Sequence, residues 1–144
     1  MPANLLQRLQ SVQNSVARLI YGLRRSKHIT DALLSLHWLR VRERVVYKLA
    51  VLTYKALNGL APLNLSSAFT HVADVLSRRR LRSASTYQLL VPSYRRSMIG
   101  WGAFPIAGAR VWNDLPSDVT SAPSLAVFGR RLKTKLFRRC YNAA

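Results

Sequence analysis

The chain has 144 residues, of which 49% are hydrophobic and 19% are charged. A chain of this length and composition can bury one sizeable apolar core, which excludes disorder as the default. Lys and Arg number 23 against five Asp and Glu, so the formal net charge is +18. Because so much like charge repels itself unless a polyanion neutralises it, nucleic acid is the first partner to consider. Cys140 stands alone, which excludes an intramolecular disulfide and a Cys-based zinc knuckle.

The N-terminus lacks the basic and then apolar layout of a secretory signal, and no run of about 18 uncharged apolar residues occurs. We therefore expect no membrane span and an intracellular location, nuclear or cytoplasmic. Five acids are few for chemistry that needs clustered carboxylates, such as two-metal phosphoryl transfer. The composition favours binding over catalysis.

The N-terminal segment has the apolar periodicity of a helix. We expect this first helix to run from Asn4 to Tyr21 and to end at Gly22. A narrow apolar seam with alternating spacings of four and three runs along it: Leu5, Leu9, Val12, Val16 and Leu19. A seam of this length more often packs within its own domain than forms a coiled coil, and if exposed it would indicate a missing partner.

A short second helix is predicted with Thr30 as its N-cap, and a third from about Val41 to Leu57, ended by Asn58-Gly59. The third helix has an apolar arc, typical of the most buried element, that consists of Val41, Val45, Leu49, Leu52 and Ala56 and is widened by Val46, Ala50 and Thr53. Its remaining face carries four cations within about 80° of one another at 100° per residue, edged by Tyr47 and Tyr54: Arg40, Arg44, Lys48 and Lys55. Such a stripe suits a solvated polar face and a phosphate-contacting surface equally well.

The middle of the chain has weaker periodicity. Residues 77–86 are typical of a basic loop, which contains Arg78, Arg79, Arg80 and Arg82. The segment from Tyr87 to Val91 favours a short edge strand, and its expected partner is the region 98–101, which gives a short β-hairpin near residues 87–101. The apolar block from Trp101 to Trp112 has little charge and predicts burial.

A last helix is predicted with Ser124 as N-cap and one apolar stripe formed by Leu125, Phe128, Leu132 and Leu136. Six cations lie around and after this stripe: Arg130, Arg131, Lys133, Lys135, Arg138 and Arg139. Taken together, the patterns predict a mainly α protein, a single helical domain over residues 1–144 with about four to five helices.

The sequence carries no recognisable catalytic or metal-binding motif. The glycines do not have the spacing of a phosphate loop or of a nucleophile elbow. His28, His37 and His71 stand too far apart for an i, i+4 ligand pair, and His37 is better interpreted as a hydrogen-bonded ring packed beside an aromatic. Asp114 and Asp118 flank a proline in a segment typical of a turn. We therefore expect no catalytic residue, no metal site and no cofactor.

Six short strings follow one another along the chain: Leu6-Gln7-Arg8-Leu9-Gln10, Val12-Gln13-Asn14, His28-Ile29-Thr30, Leu36-His37-Trp38-Leu39, Thr53-Tyr54-Lys55-Ala56-Leu57-Asn58-Gly59 and Arg110-Val111-Trp112-Asn113-Asp114-Leu115-Pro116. With Ser121-Ala122-Pro123-Ser124-Leu125 and Phe128, they cover about residues 5 to 137. In this order they resemble the C-terminal region of non-LTR (LINE, jockey-type) retrotransposon reverse transcriptases, which are RNA-directed DNA polymerases. Arg40 departs from the pattern, since such sequences commonly place Pro after His-Trp-Leu.

The resemblance implies a region that follows the polymerase core of an element-encoded protein, and no catalytic residue of the family maps onto this chain. It implies a non-catalytic role in target-primed reverse transcription. Two hypotheses stay open. In the first, the cations named above bind RNA or DNA backbones. In the second, the Leu5–Leu19 seam docks on the upstream polymerase region of the same element, and the charge only keeps the chain soluble. A weaker third option is peripheral binding of the basic last helix to anionic membranes.

Overall fold

Helices dominate the computed structural model, which describes residues 2–75, 87–93 and 103–141. These residues contain one 3-10 turn, Val72–Asp74, no strand, and seven α-helices: α1 (Ala3–Tyr21), α2 (Thr30–Ser35), α3 (Val41–Leu57), α4 (Leu63–Ser66), α5 (Phe104–Asn113), α6 (Ser117–Thr120) and α7 (Leu125–Tyr141). Four of them, α1, α3, α5 and α7, have ten residues or more. The prediction of a mainly α protein is confirmed, and α5 adds a helix within the block that was predicted only to be buried.

Local signals explain where the long helices begin and end. Gly22 has a φ of 60°, and the next residue, Leu23, donates its N–H to the carbonyl of Arg18 at 2.9 Å, which is a Schellman ending. Gly59, with a φ of 68°, ends α3 in the same way. At the start of α7, the hydroxyl of Ser124 accepts the N–H of the third helical residue at 3.3 Å. The predicted bounds of α1 and α3 and the predicted start of α7 are therefore confirmed to within a residue.

The short helix α2 differs from its prediction at the first residue. It begins at Thr30 itself, after Ile29, and no side chain caps it, so the prediction of Thr30 as N-cap is wrong. At its end, His37 adopts a φ of 52°, and Trp38 donates its N–H to the carbonyl of Leu33 at 3.0 Å. A histidine thus occupies the left-handed position that glycine usually takes in a Schellman ending.

Two compact units divide the chain. Unit 1 consists of Met1–Tyr47 and Lys133–Ala144, and unit 2 consists of Lys48–Leu132. The boundaries fall inside α3 and α7, so each of these helices contributes residues to both units. Each unit has its own group of buried side chains.

In unit 1, α1 packs through polar side chains. The buried Gln13 donates its Nε2 to the carbonyl of Leu39 at 2.9 Å. The Oε1 of Gln10 accepts the N–H of Val41, the first residue of α3, also at 2.9 Å. Ala17 completes this face and packs with buried residues of α2. The packed face is centred about 110° around the helix axis from the Leu5–Leu19 seam, at 100° per residue.

Unit 2 is built around an aromatic cluster. The Tyr54 and Phe128 rings stack with centroids 4.4 Å apart, and the Trp112 and Phe128 rings stack at 5.9 Å. All three side chains are buried, and the hydroxyl of Tyr54 donates to the carbonyl of Ala122 at 3.0 Å. The burial of Trp112 confirms the prediction for the second half of the apolar block, whereas Trp101 lies outside the described residues.

The extended segment 87–93 is tied to the end of α5. The Nε1 of Trp112 donates to the carbonyl of Tyr87 at 2.8 Å, and the Asn113 amide pairs with both backbone groups of Leu89. On its other side, Leu89 forms an isolated antiparallel bridge with His71. The segment therefore pairs with residues 70–72. Its predicted hairpin partner, residues 98–101, lies outside the described part of the chain.

Candidate nucleic-acid interface

The predicted nucleic-acid-binding cations fall into three groups. The basic loop 77–86 lies outside the described residues, together with Arg78, Arg79, Arg80 and Arg82. Unit 2 holds Lys55, which is half-buried, and three exposed cations: Lys48, Arg130 and Arg131. Unit 1 holds the other six predicted cations, all exposed, which we call the unit 1 basic cluster: Arg40, Arg44, Lys133, Lys135, Arg138 and Arg139.

Tyr141 joins the two halves of the unit 1 basic cluster. Its hydroxyl donates to the carbonyl of Trp38 at 2.6 Å, a contact that spans 103 positions of sequence. The guanidinium carbon of Arg40 lies 5.6 Å from the centre of the Tyr141 ring, within the range of a cation–π contact. The residues just before α3 therefore lie beside the last turn of α7, which carries Arg138 and Arg139.

Few acidic side chains oppose these cations. Unit 1 contains 12 of the 23 Lys and Arg residues and only two of the five acids, Asp31 and Glu43. Asp31 lies in the first turn of α2, where the positive helix end favours it. Glu43 lies within hydrogen-bonding reach of the Cys140 thiol. Because two carboxylates cannot neutralise 12 cations, unit 1 has a strongly positive field.

Two titratable groups beside Arg40 stay neutral at physiological pH. Burial raises the pKa of the Cys140 thiol; the backbone hydrogen bond with Arg40 acts in the opposite direction, and the charge of Glu43 raises the pKa further. Burial likewise raises the pKa of the Tyr141 hydroxyl. Since both groups keep their protons at pH 7, neither adds negative charge to the basic cluster.

The exposed and buried faces of α3 agree only in part with those predicted from the residue spacing. Tyr54, one of the two aromatics predicted to edge it, is 4% exposed, so the prediction of a surface aromatic is wrong there. Leu52, predicted on the apolar arc, is exposed, whereas Ala50 and Thr53, which widen that arc, are buried as predicted. The aromatic cluster of unit 2 draws Tyr54 inward, because a stacked ring with a bonded hydroxyl is well accommodated in a core.

Arg131 in unit 2 has a structural contact of its own. Its guanidinium donates a hydrogen bond to the backbone carbonyl of Asp118, which links α7 to α6. The side chain remains exposed. Arg131 therefore has a structural role within unit 2.

The Leu5–Leu19 seam is exposed along its whole length. Its five side chains retain between 41% and 81% of their accessible surface, and Ile20 and Tyr21 beside it are also exposed. The prediction that the seam packs within its own domain is wrong. The reason is that α1 presents its glutamines to the Leu39 carbonyl and the Val41 N–H, which need hydrogen-bond partners.

Sequence reasoning missed three residues that organise unit 1. Gln10 and Gln13 lie three residues apart on one face of α1, and this amide pair was the available signal. Tyr141 had no signal, because its contact with Trp38 depends entirely on the tertiary fold. Without these residues, the position of Arg40 beside the end of α7 could not be anticipated.

His37 is a hydrogen-bonded ring packed beside an aromatic side chain, as predicted. Its Nδ1 lies 3.3 Å from the carbonyl oxygen of Ser35, and its ring stacks on Phe137 with centroids 5.9 Å apart. Over residues 2–75, 87–93 and 103–141, no three His, Cys, Asp or Glu side chains are grouped so that they could hold a metal ion. Across the same ranges, every helix is too short or too polar to cross a bilayer.

No protein-family model, curated protein or solved structure matches this chain. The resemblance to the C-terminal region of non-LTR retrotransposon reverse transcriptases therefore depends on the ordered strings alone. Two of those strings have a structural role: residues 53–59 form the end of α3 with its glycine cap, and residues 110–116 close α5 and anchor the segment 87–93.

Proposed function

We propose that this chain is a non-catalytic region that binds RNA or DNA backbones electrostatically through the unit 1 basic cluster. The carrying observation is the contact of Tyr141 with Trp38 and Arg40, which brings the cations at the start of α3 beside those at the end of α7. Phosphate is the anion that suits such a surface, because Arg and Lys form charge-assisted hydrogen bonds with it.

The expected binding is largely independent of nucleotide sequence. Lys and Arg contacts to phosphates position a nucleic acid without distinguishing its bases. The resemblance to non-LTR reverse transcriptases supports a role after the polymerase core, where backbone binding would help to hold template RNA or target DNA during target-primed reverse transcription. We propose the remaining predicted cations as further phosphate contacts: Lys48, Lys55, Arg78, Arg79, Arg80, Arg82, Arg130 and Arg131.

The second candidate function is docking on the upstream polymerase region of the same element. The exposure of the Leu5–Leu19 seam favours it, since an apolar stripe on a helix surface commonly marks an interaction site. In this alternative the positive charge keeps the chain soluble and nucleic acid has no role. Binding of nucleic acid to the isolated chain separates the two functions.

The test compares two triple variants that lower the net charge equally. The cluster variant combines Arg44→Gln, Lys135→Gln and Arg138→Gln. The control variant combines Arg24→Gln, Arg25→Gln and Lys27→Gln, three exposed positions of unit 1 outside the cluster. Affinity for a fluorescent DNA duplex and for a single-stranded RNA is measured by anisotropy at several salt concentrations, with circular dichroism as the check on folding.

If about six phosphates are contacted, log affinity for duplex DNA should fall with log salt at a slope near −5. The cluster variant should reduce this slope by about 2 to 3, since each lost contact removes about 0.9, whereas the control variant should keep the wild-type slope. A flat salt response of the folded wild type, or equal changes in both variants, would contradict the assignment of this cluster.

A further inference from the structure

The exposed seam of α1 is the strongest surface that nucleic-acid binding leaves without a role. It consists of Leu5, Leu9, Val12, Val16 and Leu19, and Val12 and Leu19 keep 62% and 81% of their accessible surface. No charged side chain interrupts it. Side chains of this kind gain most from contact with another apolar surface, so phosphate is the wrong ligand for the seam.

The spacing of the seam is that of a coiled-coil heptad. Successive members stand four, three, four and three residues apart, which places them at alternating a and d positions with a mean period of 3.5. The seam lies on a continuous helix of 19 residues, Ala3–Tyr21. Gln10 and Gln13 hold this helix from another side, so it is already ordered before a partner arrives. A second helix laid along α1 is the element that fits.

The charges on and near α1 indicate the chemistry of the partner helix. The positions that flank the seam, e and g of the heptad, are Leu6, Arg8, Ser15, Ile20 and Gln13, of which Gln13 is buried against the Leu39 carbonyl. The only charge among them is positive, and α1 contains no Asp or Glu at all. Three further exposed cations follow the end of the helix: Arg24, Arg25 and Lys27.

A second copy of the chain is therefore a poor occupant. It would bring no carboxylate to Arg8, and it would place the 12 cations of one unit 1 near the 12 of another. A seam of two and a half heptads is also too short to overcome much repulsion. An acidic helix has neither disadvantage, because its flanking carboxylates would face the cations of unit 1.

We propose that the α1 seam docks an acidic amphipathic helix of a partner protein, with aliphatic side chains at its a and d positions and Asp or Glu at the flanking positions. The proposal goes beyond nucleic-acid binding and does not depend on it. It gives the docking alternative a partner of defined chemistry.

The test titrates the full chain with a fluorescent three-heptad peptide that carries Leu at a and d and Glu at e and g. Two control peptides are used: one has the same composition in shuffled order, and one has Lys in place of Glu. The seam variant combines Val12→Lys and Val16→Lys. The control variant combines Gln7→Lys and Ser11→Lys, two exposed positions on the opposite side of α1.

The two variants add the same charge, which separates seam contact from general attraction between an acidic peptide and a basic protein. We expect the seam variant to lose at least about tenfold in affinity for the acidic peptide, although its added charge alone would strengthen binding. The control variant should bind the acidic peptide at least as well as the wild type. Both control peptides should bind the wild type at least about tenfold more weakly, because they lack either the apolar stripe or the acidic flanks.

Four results would overturn the proposal. They are no binding of the acidic peptide by the folded wild type, equal binding of the shuffled or basic peptide, equal affinity of the seam and control variants, and a wild-type dimer in sedimentation that the seam variant dissociates. The last result would make a second copy the occupant. The cluster variant of the nucleic-acid test should bind the acidic peptide through an intact seam, so either proposal can fail alone.

Discussion

Asn113 offers a direct test of how unit 2 holds its extended segment. The Asn113 side chain accepts the N–H of Leu89 at 2.8 Å and donates to the carbonyl of the same residue at 2.9 Å. The side chain of Leu89 is 1% exposed, so both bonds lie at the edge of a core. The substitution Asn113→Ala removes both bonds at once and leaves two backbone groups without protein partners.

Each orphaned buried polar group costs about 1 to 3 kcal/mol, which bounds the total at about 2 to 6 kcal/mol. Because these bonds are only partly buried, water can replace part of them. We therefore expect Asn113→Ala to lower the free energy of unfolding by about 2 to 3 kcal/mol. Urea denaturation followed by tryptophan fluorescence measures this, and hydrogen exchange at the Leu89 amide should report the loss locally.

Two further variants sharpen the test. Asn113→Asp keeps the acceptor but turns the donor into a carboxylate oxygen that faces the Leu89 carbonyl, so at neutral pH it should cost at least as much as the alanine. Gln88→Ala, an exposed neighbour, should change the free energy of unfolding by less than about 0.5 kcal/mol. A loss that small for Asn113→Ala, with the Leu89 amide still protected, would refute the anchoring role. A large loss of RNA affinity at unchanged stability would show a functional role instead.

One further substitution tests the packing of unit 2, and one titration tests the burial of Cys140. A Cβ at Gly108 would lie 2.7 Å from the Phe69 ring and from the Thr53 hydroxyl, so Gly108→Ala should destabilise unit 2 by about 1 to 3 kcal/mol in urea melts. Helix propensity alone favours alanine over glycine, so a gain in stability would show that the Phe69 and Thr53 side chains move to accommodate the Cβ. Burial raises the pKa of Cys140. The pH at which its alkylation by iodoacetamide reaches half the maximal rate should therefore be higher in the folded chain than in the unfolded chain. The folded state then holds this proton longer, so the free energy of unfolding should fall as pH rises from the ordinary thiol pKa to the folded one; identical midpoints would contradict this.

Three of the long helices could be predicted because their signals are local. Periodicity, Gly22 and Gly59 at the C-termini, and Ser124 as an N-cap specify α1, α3 and α7 from neighbouring residues alone. The helix α5 lacked such signals. Apolar residues surround it without a clear period and Gly108 lowers its apparent helix propensity; its one local signal is Pro105, which suits the first turn of a helix.

The candidate basic cluster could be predicted only in part. Composition and helix spacing identify exposed cations such as Arg44 and Arg138, because Lys and Arg are rarely buried. Their grouping in one unit could not be predicted, since it depends on the hydrogen bond between Tyr141 and the Trp38 carbonyl, 103 positions apart. No local pattern carries information about a contact at that separation.

The sequence by itself determined that α1 is a helix with an apolar seam and that the chain carries a large positive charge. Only the tertiary structure decided which side of α1 is buried. The Leu39 carbonyl and the Val41 N–H are backbone groups that need hydrogen-bond partners. Gln13 and Gln10 supply those partners, and the seam is consequently left in contact with solvent.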